Sequence, residues 1–160
     1  MNKAYLLTGS NMGNRASLLA EARKQISAQC GILLAQSPVY ETAAWGKTDQ
    51  SPFLNQALLV ETTLSARQLL RKILKIEKQM GRVREEKYGP RLIDIDILLF
   101  NDEIHEYDLL RLPHPELPRR RFALLPLADI AGEIRHPLSG KTIAALLKEC
   151  SDPLEVRRVD

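Results

Sequence analysis

With 160 residues, 44% of them hydrophobic and 27% charged, the chain is long enough to bury a substantial core and is neither fibrous nor disordered in composition. A formal net charge of +3 at pH 7 favours anionic ligands but lacks the dense positive field that a nucleic-acid polymer demands. Cys30 and Cys150 stand far apart and form no Cys-x-x-Cys pair, which argues against a zinc site or a disulfide framework and fits buried thiols in a reducing compartment.

Residues 5–8 predict a first buried strand that ends at Gly9-Ser10-Asn11. This apolar run is far too short for a signal or membrane-spanning segment, so a cytoplasmic protein is expected. A helix is expected over 16–29, with Leu18, Leu19, Ala22 and Ile26 at helical spacing and Gly31 as its stop. Residues 32–42 predict a second strand, 43–52 a loop carrying the sole tryptophan, Trp45, and 53–62 a third strand. Ser65 opens a second helix with the capping-box pattern Ser65-x-x-Gln68, and the stripe Ala66, Leu69, Leu70, Ile73, Ile76 and Met80 runs to Gly81, a suitable residue just past its end. A fourth strand follows within 93–100. The order β-α-β-β-α-β predicts an α+β protein with a ferredoxin-like core, a mostly antiparallel sheet covered by helices in three layers. Later come a turn at Asn101-Asp102, an apolar piece over 109–112, a proline-punctuated loop over 113–118, and helices over 120–129 and 142–150. No repeat divides the chain, so 1–160 is expected to be one domain.

The fourth strand carries the chemistry. In Ile93-Asp94-Ile95-Asp96-Ile97-Leu98-Leu99-Phe100, alternation sends the isoleucines to one face and both aspartates to the other, with aspartate Cα atoms about 6.5 Å apart. Adjacent carboxylates repel and call for a cation, and their hard oxygens suit Mg²⁺. An isolated Asp-x-Asp can also be the wet face of an edge strand. Here it follows Arg82-Val83-Arg84-Glu85-Glu86-Lys87-Tyr88-Gly89-Pro90-Arg91, a cation-rich stretch broken into a loop by Gly89-Pro90. Arginine forks beside a metal-binding pair fit a metal-bound polyphosphate.

Ser139-Gly140-Lys141-Thr142 resembles the end of a phosphate-binding loop, but the required earlier glycine is Arg135, so a turn into the last helix is expected. Gly9-Ser10-Asn11-Met12-Gly13 likewise lacks the dinucleotide fingerprint. Glu77 intrudes on the second helix's apolar stripe, either snorkelling at its margin or partnering the nearby arginine loop. His114, between Pro113 and Pro115, is either an exposed loop histidine or a ligand. Arg119-Arg120-Arg121 suits a solvated cationic face as well as a binding one, and Phe53 and Phe122 suit a core.

Residues 87–98, Lys87-Tyr88-Gly89-Pro90-Arg91-Leu92-Ile93-Asp94-Ile95-Asp96-Ile97-Leu98, closely resemble the signature of the 6-hydroxymethyl-7,8-dihydropterin pyrophosphokinases of folate biosynthesis. Gly9-Ser10-Asn11, Phe53-Leu54-Asn55, Gly81-Arg82-Val83-Arg84, Pro113-His114-Pro115 and Arg120-Arg121-Phe122 resemble that family's other motifs in the same order. The resemblance implies transfer of ATP's terminal pyrophosphoryl unit to the pterin hydroxymethyl oxygen, with two Mg²⁺ ions held by Asp94 and Asp96. It implies that Arg82 and Arg91 are catalytic, that Arg82, Arg84, Tyr88, Arg91, His114 and Arg120 bind ATP, and that Arg84 and Tyr88 lie in a lid. Phe53 and Phe122 would sandwich the pterin, with Asn55, Asp94 and the stretch Thr42, Ala43, Ala44 and Trp45 at its edge. Glu77 would support the site from behind. Small-molecule substrates are the implied partners, without nucleic acid or membrane, and a monomer or a weak homodimer is expected. Ala44 stands where a proline is common in the family, and Tyr88 where some members have tryptophan.

Two other readings remain at this point. A two-metal nuclease or nucleotidyltransferase could use the aspartates, but would want a longer basic track. A ferredoxin-like RNA-binding module would want more stacking aromatics than the 5% present.

Overall fold

The computed structural model describes residues 1–43, 51–81 and 92–160. In chain order it contains β1 (Asn2–Ser10), α1 (Arg15–Gln29), β2 (Ile32–Gln36), β3 (Tyr40–Thr42), β4 (Phe53–Thr62), α2 (Ala66–Gln79), β5 (Asp94–Phe100), β6 (His105–Tyr107), β7 (Leu110–Leu112), α3 (Arg121–Ala131), α4 (Ile143–Glu149) and β8 (Val156–Arg158). A mixed α/β architecture results. The main sheet runs β5-β1-β4-β3-β8, with β2 also on β4, and every pairing is antiparallel.

Each face of the sheet is covered by a helix pair. On one, Leu19, Ala22 and Ile26 of α1 and Leu69, Ile73 and Ile76 of α2 meet Leu6, Leu54, Leu58, Ile95 and Ile97. On the other, Leu124 and Leu127 of α3 and Ile143 and Leu146 of α4 meet Tyr5, Leu7, Leu98 and Leu99. Strand alternation divides β4 accordingly: Leu54, Leu58 and Val60 face α1 and α2, while Leu59 faces α3 and α4.

The Ser65 capping box is present, with Ser65 Oγ accepting from Gln68 N–H and Gln68 Oε1 from Ser65 N–H. Gly81 lies at φ +87° beyond α2, a conformation that glycine adopts at least cost. Gly31 works differently from its expected left-handed stop. A Cβ there would sit 2.1 Å from the Glu61 carbonyl oxygen, so a close backbone approach, not a helix cap, requires the glycine.

The expected second strand divides in two at Ser37-Pro38, because Pro38 has no N–H for a ladder. Ser37 bridges the gap: its N–H donates to the Ala57 carbonyl and its Oγ accepts from Ala57 N–H, both at 2.9 Å. Thr142 caps α4 through Ala145 N–H, and Gly140 at φ +72° makes the turn before it, so the segment is a helix entry as expected. Cys30 is buried and its thiol pushed up to about 11, mainly by desolvation. Cys150, expected to be buried, is only partly so, because α4 ends at the surface there. Neither β6 nor β8 had a sequence signal. No helix among the described residues is long and apolar enough to cross a membrane.

Candidate functional site

The site grows from β5, an edge strand paired with β1 so that Asp94 lies opposite Gly9 and Asp96 opposite Leu7. Ile93, Ile95 and Ile97 are buried under α1 and α2, which leaves both half-buried aspartates on the α3 side of the sheet. The alternation then stops. Leu6 pairs with Ile97 and Tyr5 with Leu99, so Leu98 is an extra residue. This bulge turns both Leu98 and Leu99 into the α3–α4 core. Polar and apolar stretches of one face are thereby separated along a single strand.

The register aligns Asp94, Gly9, Asn55 and Tyr40 across four strands. Directly opposed residues project to the same face, so Asn55 and Tyr40 share the aspartates' side. Asn55 Nδ2 donates to the Thr8 carbonyl at 3.1 Å. Its Oδ1 is buried and has no hydrogen-bond partner among the described residues. A native buried acceptor left open is costly unless something else occupies it. Gly9 makes this arrangement possible, because a Cβ there would lie 2.5 Å from Asn55 Nδ2. Tyr40 donates its hydroxyl proton to Asp129 of α3 at 2.5 Å. Burial and that carboxylate push the phenol up to about 12, so it remains a donor.

Phe53 begins β4 two residues before Asn55 and therefore on the same face, half-buried and paired with Thr42. Thr42 is buried, its hydroxyl donating to the Glu155 carbonyl at 2.9 Å, and Ala43 is exposed. Phe122, in the first turn of α3, packs at the margin of the α3–α4 core. The Arg120 guanidinium lies 5.6 Å from its ring centroid, within cation–π range.

His114 enters from the loop after β7. Its backbone N–H donates to the Leu98 carbonyl at 2.9 Å, and its Nδ1 accepts from Glu116 N–H at 3.2 Å. Burial lowers the imidazole to about 4, Arg120 contributes in the same direction, and Asp94 opposes it. Those influences place one neutral ring within electrostatic reach of both Asp94 and Arg120. Of its two sequence readings, the exposed loop histidine is the one not realised.

Glu77 is buried, and its Oε2 accepts from Ile95 N–H at 2.8 Å. The carboxylate thus grips the β5 backbone midway between the aspartates. Its expected partnership with the arginine loop lies outside the described residues, as do Ala44, Trp45, Arg82, Arg84, Tyr88 and Arg91. Sequence reasoning missed Tyr40 and ended the first strand at Gly9, whereas β1 continues to Ser10. A glycine inside a nine-residue strand was the available signal for close packing over its backbone.

The donor set fits a hard divalent cation. Among the described residues no group of three or more His, Cys, Asp or Glu could hold a metal by itself. Mg²⁺ needs no such cage, since it binds through one or two carboxylates together with water and substrate phosphates. Two aspartates, a neutral imidazole, a guanidinium and an open amide oxygen suit a polyphosphate–metal complex beside a flat ligand bearing N–H donors.

Comparisons with known proteins agree. The family model described as 7,8-dihydro-6-hydroxymethylpterin-pyrophosphokinase (HPPK) matches residues 5–132. A 2-amino-4-hydroxy-6-hydroxymethyldihydropteridine pyrophosphokinase of Methylorubrum extorquens is 42% identical over 161 residues, covering 100% of both chains. One of Aquifex aeolicus is 43% identical over 143 residues, 89% of each chain. A crystal structure of Plasmodium falciparum HPPK-DHPS with pterin and p-hydroxybenzoate superposes with a TM-score of 0.73 at 20% identity; 92% of this chain is covered and 41% of that one, a likeness of fold alone. The nuclease and RNA-binding readings find no support among these relatives. The chain belongs to the 7,8-dihydro-6-hydroxymethylpterin-pyrophosphokinase family.

Proposed function

We propose that the α3 side of the sheet is the active site of an ATP-dependent pyrophosphokinase in folate biosynthesis. The enzyme transfers the terminal pyrophosphoryl unit of ATP to the hydroxymethyl oxygen of 6-hydroxymethyl-7,8-dihydropterin. The pterin oxygen bonds to the β-phosphorus as the bond to the α-phosphate oxygen breaks, the hydroxyl proton is lost, and AMP leaves. The observation that carries the reading is the Asp94–Gly9–Asn55 row, which sets beside a carboxylate pair a buried amide oxygen that has no partner among the described residues.

Such a transfer needs positioning and charge stabilisation more than covalent help. Asn55 Oδ1 accepts from the pterin's amino or ring N–H, while Phe53 and Phe122 offer faces for its flat ring. Thr42, Ala43, Ala44 and Trp45 belong to its edge. Asp94 and Asp96 supply carboxylate oxygens for two Mg²⁺ ions, and Asp94 also borders the pterin. Bound Mg²⁺ would neutralise phosphate charge and stabilise the attacking and leaving oxygens. Arg120 and His114 take triphosphate oxygens. Neutral His114 can donate one N–H from Nε2 while Nδ1 accepts from the backbone. Arg82, Arg84, Tyr88 and Arg91 complete ATP binding, with Arg82 and Arg91 stabilising the transition state. Glu77 sets the β5 main chain that aims the aspartates. The whole chain acts as one domain, a cytoplasmic monomer, and the sheet order β5-β1-β4-β3 supports a ferredoxin-like core.

Protein, Mg²⁺, ATP and the dihydropterin should yield AMP and pterin diphosphate in equal amounts. Asp94→Ala and Asp96→Ala should each cut turnover more than about a hundredfold, as losing one transition-state charge partner does, with circular dichroism unchanged. No AMP from wild type, or full activity in Asp96→Ala, would sink the assignment.

A further inference from the structure

The family model ends at residue 132, yet the C-terminal residues beyond it brace two sides of the proposed site. α3 starts at Arg121 with no side-chain cap from Arg120. Its first N–H, that of Arg121, donates instead to Asp152 Oδ2 at 3.1 Å. Asp152 is only 6% exposed, and its Oδ1 accepts from Leu154 N–H at 3.0 Å. The Arg121 guanidinium reaches back to the carbonyls of Cys150, at 2.7 Å, and Asp152. Arg121 is therefore tied to 150–152 through both main chain and side chain. Its two sequence neighbours are Arg120 and Phe122.

A second strap lies on the opposite wall. β8 pairs with β3, setting Thr42 opposite Val156, while Thr42 Oγ1 donates to the Glu155 carbonyl. Glu41 is gripped from both ends, by Arg15 at 2.9 Å and by Arg157 at 2.7 Å. The tail thus joins the β3 wall to the start of α3. A carboxylate at that helix start also meets its N–H groups and positive dipole end favourably.

We propose that Asp152 is a positioning residue for pyrophosphoryl transfer. By fixing Arg121, it holds Arg120 toward the triphosphate and Phe122 against the pterin. This rests on the roles proposed for Arg120 and Phe122. Small displacements of substrate-orienting groups cost large rate factors, so the contribution appears in substrate affinity as well as in stability. The Asp152 carboxylate oxygens accept from the Arg121 and Leu154 N–H groups, so its loss should leave the Mg²⁺ dependence alone.

The test compares wild type, Asp152→Ala, Asp152→Asn and, as a control at the same end of the molecule, Lys141→Ala, which breaks the exposed Lys141–Glu149 pair. KM for ATP, KM for the dihydropterin, the Mg²⁺ dependence and binding of the dihydropterin without turnover are measured beside thermal unfolding. Asp152→Ala should raise both KM values and the pterin dissociation constant about tenfold or more. Asp152→Asn, which retains an oxygen for one of the two N–H donors, should fall between it and wild type, and Lys141→Ala should match wild type. Wild-type KM and pterin binding in a folded Asp152→Ala would overturn the proposal, even with a lowered melting temperature. If Asp152→Ala fails to fold, unchanged constants in Asp152→Asn overturn it equally. A wild type that binds pterin but releases no AMP would defeat the function reading instead, and the binding measurements then judge Asp152 alone.

Discussion

Neighbouring residues of β5 live in different chemistries. Ile95 and Ile97 join an apolar layer in which α1 and α2 present Leu19, Ile26, Leu69 and Ile73. One position away, Asp94 and Asp96 share their face with Asn55, His114, Arg120 and Phe122. The first face is close-packed and tolerates little change of volume. The second is polar and, among the described residues, leaves the Asn55 acceptor open, an arrangement that a stability-optimised protein would avoid. A two-residue alternation lets one strand do both, with a packed core on one side and the proposed binding surface on the other.

The sharpest way to break this contrast is to alter adjacent residues. Whereas Asp96→Ala is expected to cut turnover more than about a hundredfold and leave folding intact, Ile97→Ala should cost about 2–5 kcal/mol of unfolding free energy, the range for aliphatic truncations in a core. Urea unfolding beside KM measurements checks it; altered KM values at full stability would contradict the division of labour. Gly9→Ala tests the seam between faces. The new methyl would displace the Asn55 amide, destabilising by roughly 1–3 kcal/mol, as overpacking does, and raising the pterin KM more than the ATP KM. Equal effects on both substrates would count against Asn55 as a pterin contact.

The smallest effect is pH-dependent. His114 is lowered to about 4 by burial and Arg120, and burial also lowers His136. His136 Nδ1 accepts from the N–H groups of Leu138 and Ser139, bonds that need an unprotonated nitrogen. Between pH 6.5 and about 4 the unfolded chain binds more protons than the native one. The contribution is therefore fully present above pH 6.5 and lost as pH falls toward 4. Unfolding free energy measured across that window should fall with acidity, and His114→Gln should flatten the slope. A stability that rose with acid there would exclude the buried neutral ring.

The division between faces was legible in the sequence where periodicity carries it. Alternating isoleucines and aspartates fixed which side of β5 is wet, and Ser65, Gln68 and Gly81 marked both ends of α2. What escaped depended on partners distant in the chain. The bulge at Leu98 arises from pairing with β1, and a run of Leu98-Leu99-Phe100 gives no hint of which residue is extra. β8 pairs with β3 across more than a hundred residues, and its Val156-Arg157-Arg158 is too short to announce a strand. Asp152 sits in an unremarkable polar stretch, and only the tertiary fold brings it to Arg121. Asn55 was named from a family motif; its open oxygen followed only from the register with Gly9.

The bond between Glu77 and Ile95 also bears on how the molecule behaves in company. β5 forms one border of the main sheet, and a bare border invites a strand from another chain to dock on its N–H and C=O groups. Ile95 N–H is already committed to the buried Glu77 carboxyl group, which an incoming backbone would have to displace. The same acid that holds the main chain between the two aspartates thereby blocks one of the positions at which this edge could pair with another chain.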